Sequence, residues 1–342
     1  MLVLVLLLIT FVAQLFGSAS TQNTIVELLV LVVAVVALHL FIGLSGVYSF
    51  GHMAFAALGG YAAGLLSIPS TFKGVLLPQL PGWIASLDVS TPLGLLIGGA
   101  VATLFAAIVG PAVVKVSGAT ASIVTLAMLL IVRVVLGNAD DFTGGYRSLT
   151  GIPLDLGVFG VLLAAAIVIV LAFALQRSRL GVRLVAARED PAAARAAGID
   201  VDRDRYLALL ASAFVMGVAG GLYAHYLGAI SPDTFYLQLA FLTIAMLVVG
   251  GVGTLSGAVL GAAAITIVTE LLRKLEGGHD LLALHLDVPA GLAEVVLAAL
   301  MLVVLIARPR GATGGRELRL ARVRRRAPAI VSSTPDNPRP GR

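Results

Sequence analysis

Cysteine is absent from the 342-residue chain, which excludes disulfides, thiol nucleophiles and thiolate metal sites. Charge is also scarce. Asp, Glu, Lys and Arg together make up 12% of the residues, against roughly a quarter in soluble domains, too few to cover a water-facing surface. The sequence contains no G-x-x-x-x-G-K-[ST] phosphate loop, no H-E-x-x-H pair and no Ser/His/Asp spacing of a hydrolase. Nothing in it therefore marks nucleotide binding, a metal centre or catalysis by this chain.

What is abundant is apolar: 59% of the residues are hydrophobic, in runs that recur from Leu2 to Ala307 with short polar interruptions. About 20 such residues cross the hydrocarbon of a bilayer at about 1.5 Å each. The candidate spans are Leu2 to Phe16, Ile25 to Leu44, Met53 to Ile68, Leu93 to Val114, Ser117 to Leu136, Val158 to Leu175, Tyr206 to Leu227, Leu239 to Val249, Leu255 to Leu272 and Val288 to Ala307. The expected fold class is an all-α integral membrane protein with about eight to ten transmembrane helices, its membrane domain covering residues 1–307. Met53 to Ile68 and Leu239 to Val249 are short and flanked by glycine, the pattern of re-entrant or broken half-helices. Gly17-Ser18-Ala19-Ser20 superficially resembles a signal-cleavage site, but no positive segment precedes the first run, so a retained first helix is expected.

Two basic segments set the orientation. Gln176 to Arg205 carries seven arginines against five acids, and Arg308 to Arg342 carries ten arginines against Glu317 and Asp336. Basic loops stay on the cytoplasmic side, which places both segments, Lys115 and both termini inside. The loops Pro69 to Pro92, Gly137 to Gly157 and Arg273 to Asp287 then lie outside, where Arg273-Lys274 is the exception. The net charge of +5 is thus a matter of topology, not of nucleic-acid binding. The tail, residues 308–342, is basic, with an Arg322 to Arg326 cluster suited to anionic lipid headgroups. Its composition beyond about Ala327 is that of a disordered segment.

The long internal loop, residues 176–205, contains a well-signalled short helix. Asp190 is a good N-cap, Pro191 suits the first helical position, Ala192 to Ala197 favour helix, and Gly198 suits the left-handed position that ends it. A rigid, charged-rim protrusion suits docking of another protein; a merely solvated linker helix is the plain alternative. This loop resembles the ATPase-coupling loop of ABC importer permeases, with Glu189, Ala193, Ala194 and Gly198 where that pattern of acid, alanines and glycine falls. Its flanks, Arg179-Leu180-Gly181-Val182-Arg183 and Arg188-Glu189-Asp190, resemble branched-chain amino-acid permeases of the LivM type.

Four further stretches resemble the same family in order: Gly43 through His52 to Tyr61, Ala121 to Ala127 with Arg133, Phe142 to Gly145 with Leu149 to Pro153, and Gly217 to Tyr223 through Ile230-Ser231-Pro232 to Gly250 to Gly257. Tyr146-Arg147-Ser148 departs from the small polar residues expected there. The resemblance implies a transport subunit, not an enzyme, in the plasma membrane of a prokaryote. It also implies two cytoplasmic ABC ATPases that bind the ATP and Mg²⁺, a second related permease and an extracytoplasmic substrate-binding protein. ATP-driven closure of the ATPases would act through the coupling helix to alternate access. Urea and short amides are the alternative substrates. An ion-coupled secondary carrier, the rival class, would need acids at mid-membrane, whereas the acids here lie in loops or near helix ends.

Ser49, Gly51, His52, Thr125, Arg133, Thr143, Gly144 and Gly145 are the candidates for the substrate path, through hydroxyls, a titratable ring, one charge and unwound backbone. Each polar member is at least as suited to bonding a neighbouring helix. Arg133 lies about one turn from the end of its span, within reach of Asp140 or Asp141. Gly250, Gly251, Gly253 and Gly257 are candidates for a hinge or for close packing, since Gly253, Gly257 and Gly261 form a small-xxx-small stripe.

Overall fold

The computed structural model describes residues 2–16 and 19–276, together with residues 296, 299, 302, 303, 306, 311–314 and 317. The chain order is α1 (Leu2–Phe16), α2 (Ala19–Leu38) running into a π turn (His39–Gly43), α3 (His52–Ser67), α4 (Ser70–Leu76), α5 (Gly82–Ala85), α6 (Thr91–Val113), α7 (Gly118–Gly137), α8 (Asp140–Thr143), β1 (Leu149–Thr150), α9 (Val158–Arg177), α10 (Arg179–Glu189), α11 (Pro191–Ala196), α12 (Val201–Leu227), β2 (Ala229–Ile230), a 3₁₀ turn (Pro232–Phe235), α13 (Leu237–Gly250) and α14 (Leu255–Glu276). Among the described residues seven helices are long and apolar enough to cross a membrane, and α3 with α4 forms a further pair bent by 116°. The span Val288 to Ala307 and the tail beyond Ala327 fall largely outside the described residues.

Glycine brings the central helices together. A Cβ on Gly98 of α6 would lie 2.5 Å from the Gly59 carbonyl of α3, and one on Gly217 of α12 would lie 2.8 Å from the Gly98 carbonyl. Three backbones thus meet at a distance that any side chain would forbid, the way helices associate where no water drives them together. The helix beside this trio, α2, is apolar on every face from Leu28 onward, and 83% of its spanning window is buried, against 33% for α7 and α9. It is therefore the inner helix, with α7 and α9 on the periphery.

Met53 to Ile68 is a helix that stops at Ile68 and turns sharply into α4 before Pro69, consistent with the half-helix expectation. The other half-helix expectation is corrected. The segment Leu239 to Val249 starts earlier, because Ser231 and Thr234 form a reciprocal capping box around Pro232, and the run Pro232–Gly250 reaches 19 residues. Asp233 and Gln238 mask this extension in the apolar pattern.

The end of the bundle opposite α10 and α11 is built from short clasps. β1 pairs antiparallel with β2, Leu149 opposite Ile230 and Thr150 opposite Ala229. Asp88 caps α4, accepting from the Ser70 N–H at 2.6 Å and its hydroxyl at 2.9 Å. Lys73 is buried, and its ammonium donates to the Leu66 and Leu87 carbonyls. Arg273 pairs with Glu27 at 3.4 Å, and Lys274 with Glu270 at 3.4 Å. The exception to the basic-inside pattern is thus matched by acids on α2 and α14.

Candidate functional site: the loop between α9 and α12 and the helix ends beneath it

The loop between α9 and α12 is two capped helices. Ser178 Oγ accepts from the Gly181 N–H at 3.3 Å to start α10. Asp190 Oδ1 accepts from the N–H groups of Ala192 and Ala193 at 2.9 and 3.0 Å to start α11. Gly198, at φ +81°, closes it in the left-handed conformation that a glycine adopts without strain. Ala194 faces inward with Ala187 and Val201, a small cluster separate from the bundle core. Glu189, Asp190, Ala193 and Gly198 are exposed, so the protruding rim is acidic at one end and small along its face. Arg183 holds the buried Asp204 of α12 at 2.8 Å, and Arg195 reaches Asp202 at 3.4 Å.

The polar candidates in the membrane fall into three separate places. His52 is fully buried, with Nδ1 2.8 Å from Ser49 Oγ and Nε2 2.7 Å from Ser212 Oγ. Ser212 donates its proton to the Ala37 carbonyl at 2.9 Å, so it accepts from His52 Nε2–H, and Nδ1 accepts from Ser49. Thr125 Oγ1 accepts from the Phe50 N–H at 3.1 Å and donates to the Ala121 carbonyl at 2.8 Å. It fixes the unwound segment before α3, where Gly51 lets α7 approach: a Cβ there would come 2.5 Å from Met128 Cε. Ser49, Gly51, His52 and Thr125 thus lie in helix-to-helix contacts in this conformation. Thr143 Oγ1 donates to the Leu136 carbonyl at 2.6 Å and accepts from the Gly145 N–H at 3.1 Å, and Gly144 and Gly145 have φ of +73° and +64°. These three build the turn after α8.

Arg133 pairs with Asp233 at 2.7 Å, with its guanidinium 4.6 Å from the centre of the Tyr236 ring and 5.7 Å from that of Tyr146. The expectation of Asp140 or Asp141 as its partner is corrected: the 3₁₀ turn carries Asp233 against α7, a pairing across 100 residues. Tyr146, the departure from the family pattern noted above, is one of the two rings over this arginine.

The glycine candidates for a hinge or for close packing lie in a fourth place, whose contacts with the tail went unread in the sequence. The elbow between α13 and α14, Gly250 to Gly257, meets three other elements at the end of the bundle that carries α10. A Cβ on Gly257 would lie 2.7 Å from the Gly250 carbonyl, so the two helices touch there, and Gly251 takes φ +119°. Gly253 instead faces Arg188, whose Nη1 would be 3.4 Å from a Cβ there. His39 Nδ1 lies 3.0 Å from the Val252 carbonyl; a carbonyl only accepts, so the ring donates. The tail returns to this elbow. Ala312 N–H donates to the Val249 carbonyl at 2.8 Å, and Glu317 accepts from the N–H groups of Leu255 and Ser256 at 2.7 and 3.3 Å and from Gln176 at 3.1 Å. Burial pushes the Glu317 carboxyl up, but the hydrogen bonds from Gln176, Leu255 and Ser256 together outweigh it and hold the group below its ordinary value. No local pattern signals a contact between residue 317 and residue 255.

Among the described residues no group of His, Asp or Glu is placed to hold a metal ion. A small apolar cleft of about 10 Å³, bordered by Met53, Ala56, Tyr223, Phe235, Leu239 and Thr243, is far below the usual range of ligand pockets.

The model of the family "Branched-chain amino acid transport system / permease component" matches residues 20–305. The chain belongs to that family. The permease is similar to the high-affinity branched-chain amino acid transport system permease protein LivM of Escherichia coli (strain K12), 27% identical over 91% of this chain and 74% of that one. It is also similar to LivM of Salmonella typhimurium, 27% identical over 80% of this chain and 65% of that one. A probable branched-chain amino acid transport permease protein LivH of Methanocaldococcus jannaschii is 26% identical over 74% of this chain and 82% of its own length. No solved structure matches the permease. It is the permease component of a branched-chain amino acid ABC transport system.

Proposed function

We propose that this permease forms one half of the membrane path of an ATP-driven importer of branched-chain, hydrophobic amino acids, and that residues 176–205 dock a cytoplasmic ATPase. The observation that carries the reading is α11. A membrane protein has placed a short helix, capped at both ends by Asp190 and Gly198, on its largest internal loop, with Glu189, Asp190 and Ala193 turned outward. Ala194 anchors that helix from beneath. ATP and Mg²⁺ belong to a pair of partner ATPases; a second related permease completes the path, and an extracytoplasmic binding protein delivers the amino acid. The chain lies in the plasma membrane of a prokaryote with both termini in the cytoplasm, an orientation supported by the arginine-rich loop and tail sharing one side.

The test is co-purification of a candidate ATPase with the wild type and with a Glu189→Arg, Gly198→Pro double variant, followed by leucine and urea uptake in the assembled complex. The wild type retains the ATPase and takes up leucine, and the double variant inserts but loses the ATPase. Retention by both would remove the docking role from α11. Urea uptake in place of leucine would replace the substrate, and uptake driven by an ion gradient without an ATPase would favour a secondary carrier.

A further inference from the structure

Arg188, the penultimate residue of α10, faces away from the rim that Glu189 and α11 present, and its side chain runs into the bundle. Its Nη1 donates to the Gly43 carbonyl at 2.7 Å, while Nη2 and Nε hold the Glu189 carboxylate at 2.8 and 3.2 Å. Glycines form the slot it occupies. A Cβ on Gly46, at φ +73°, would come 2.5 Å from Arg188 Cγ, and Gly253 lies beside the guanidinium. Gly43 ends the π turn that closes α2, so its carbonyl is one of the unpaired acceptors at a helix C-terminus, where a cation is also favoured by the helix dipole. A charged, forked donor suits such an acceptor better than water does.

The same π turn reaches the elbow between α13 and α14. A Cβ on Gly43 would lie 2.6 Å from the Val252 carbonyl, and His39, four residues earlier, bonds that carbonyl. One side chain therefore joins the cytoplasmic loop to the end of the most buried helix, and that end joins the loop to the hinge of two more.

We propose that Arg188 is the positioning residue that transmits movement of the cytoplasmic loop to α2 and to the elbow at Val252, reaching them from behind the rim of Glu189 and α11 that docks the ATPase. Pulling α10 draws on the Gly43 carbonyl. The π turn breaks the regular α-helical bonding of α2, as single π turns at functional sites do, and the glycine elbow breaks the α13–α14 pair. The inference rests on the docking reading above, and the two separate by experiment.

In the complete importer reconstituted in vesicles, Arg188→Ala is compared with wild type for ATPase retention, ATP hydrolysis and leucine uptake. The expected result is retained ATPase and hydrolysis, with leucine taken up per ATP hydrolysed reduced by roughly tenfold, the scale of losing a charged hydrogen bond. Arg188→Lys, which keeps one donor but not the fork, restores part of that ratio. It also serves as the test should the alanine variant insert poorly. An unchanged ratio in both variants overturns the proposal, as does loss of the ATPase from Arg188→Ala, which would make Arg188 part of the dock. If the wild type itself holds no ATPase, the docking reading falls and takes this inference with it.

Discussion

His52 shows how a residue suggestive of function is assigned by the direction of its bonds. Ser212 has one proton and gives it to the Ala37 carbonyl, which leaves His52 Nε2 as donor and Nδ1 as acceptor from Ser49. The ring also packs between Phe41, tilted at 34°, and Phe55, edge-on at 87°, with centroids 5.3 and 5.5 Å away. It joins the start of α3 to α12 and, through Ser212, to α2. His52→Leu strands the Ser49 hydroxyl in the interior and is expected to cost about 1–3 kcal/mol. Ser212→Ala removes the other partner, and because the two residues share one chain of bonds, the double variant should lose less than the sum. Thermal unfolding in detergent measures all three. Additive losses would mean the chain does not act as a unit, and loss of uptake with full stability in His52→Leu would assign the ring to the substrate path. The sequence named Ser49, His52 and Thr125 as candidates for the substrate path but left both uses open, because the partner Ser212 lies 160 residues from His52 along the chain.

At the level of elements, helix identity was readable and helix contact was not. Every long apolar run predicted within the described residues is a helix, since the length needed to cross hydrocarbon and the need to satisfy backbone groups internally leave little choice. The glycines that set the packing were harder to rank. The stripe on α14 is visible by its spacing of four, yet only Gly257 and Gly261 face α13, while Gly253 faces Arg188. Gly59, Gly98 and Gly217, which bring α3, α6 and α12 together, belong to three separate segments, and no spacing within one segment reveals them. Gly217→Val would press a branched side chain into the backbone of α6 and is expected to destabilise by at least about 1–3 kcal/mol, the range for overpacking. Gly160→Ala is the control: its Cβ would meet only a Leu156 methyl at 3.6 Å, and relief of a helical glycine should stabilise by about 0.5–1 kcal/mol. Unfolding midpoints of the two variants should move in opposite directions. A tolerated Gly217→Val would remove the three-glycine contact as the organising feature of the core.

For the whole molecule, the charges that looked irregular along the sequence close contacts between distant segments on each side. At one end of the bundle Arg273 meets Glu27 and Arg133 meets Asp233; at the other, Arg188 meets Gly43 and Glu317 meets the start of α14. Glu317 was read as part of a basic tail, because its role exists only once α9, α14 and the tail converge. Its carboxylate sits at the N-terminus of α14, where the first-turn N–H groups of Leu255 and Ser256 and the helix dipole favour negative charge, with Gln176 as third donor and the His39 ring also within its field. The folded-state value lies below the ordinary 4.5. The stabilisation is therefore complete above that ordinary value and is lost as pH falls through the depressed one. The tail should stay on the elbow across the neutral range and release only in acid. Hydrogen exchange at the Leu255 and Ser256 amides reads this directly: protection high at pH 7 and falling in acid for wild type, and low throughout for Glu317→Gln, which keeps the shape of the side chain but not its charge. Equal protection in the two proteins at pH 7 would show that Ala312 and Thr313, which bond the Val249 and Gly250 carbonyls, hold the tail without it. If protection falls as expected, leucine uptake by the glutamine variant shows whether the elbow must stay clasped while the permease turns over.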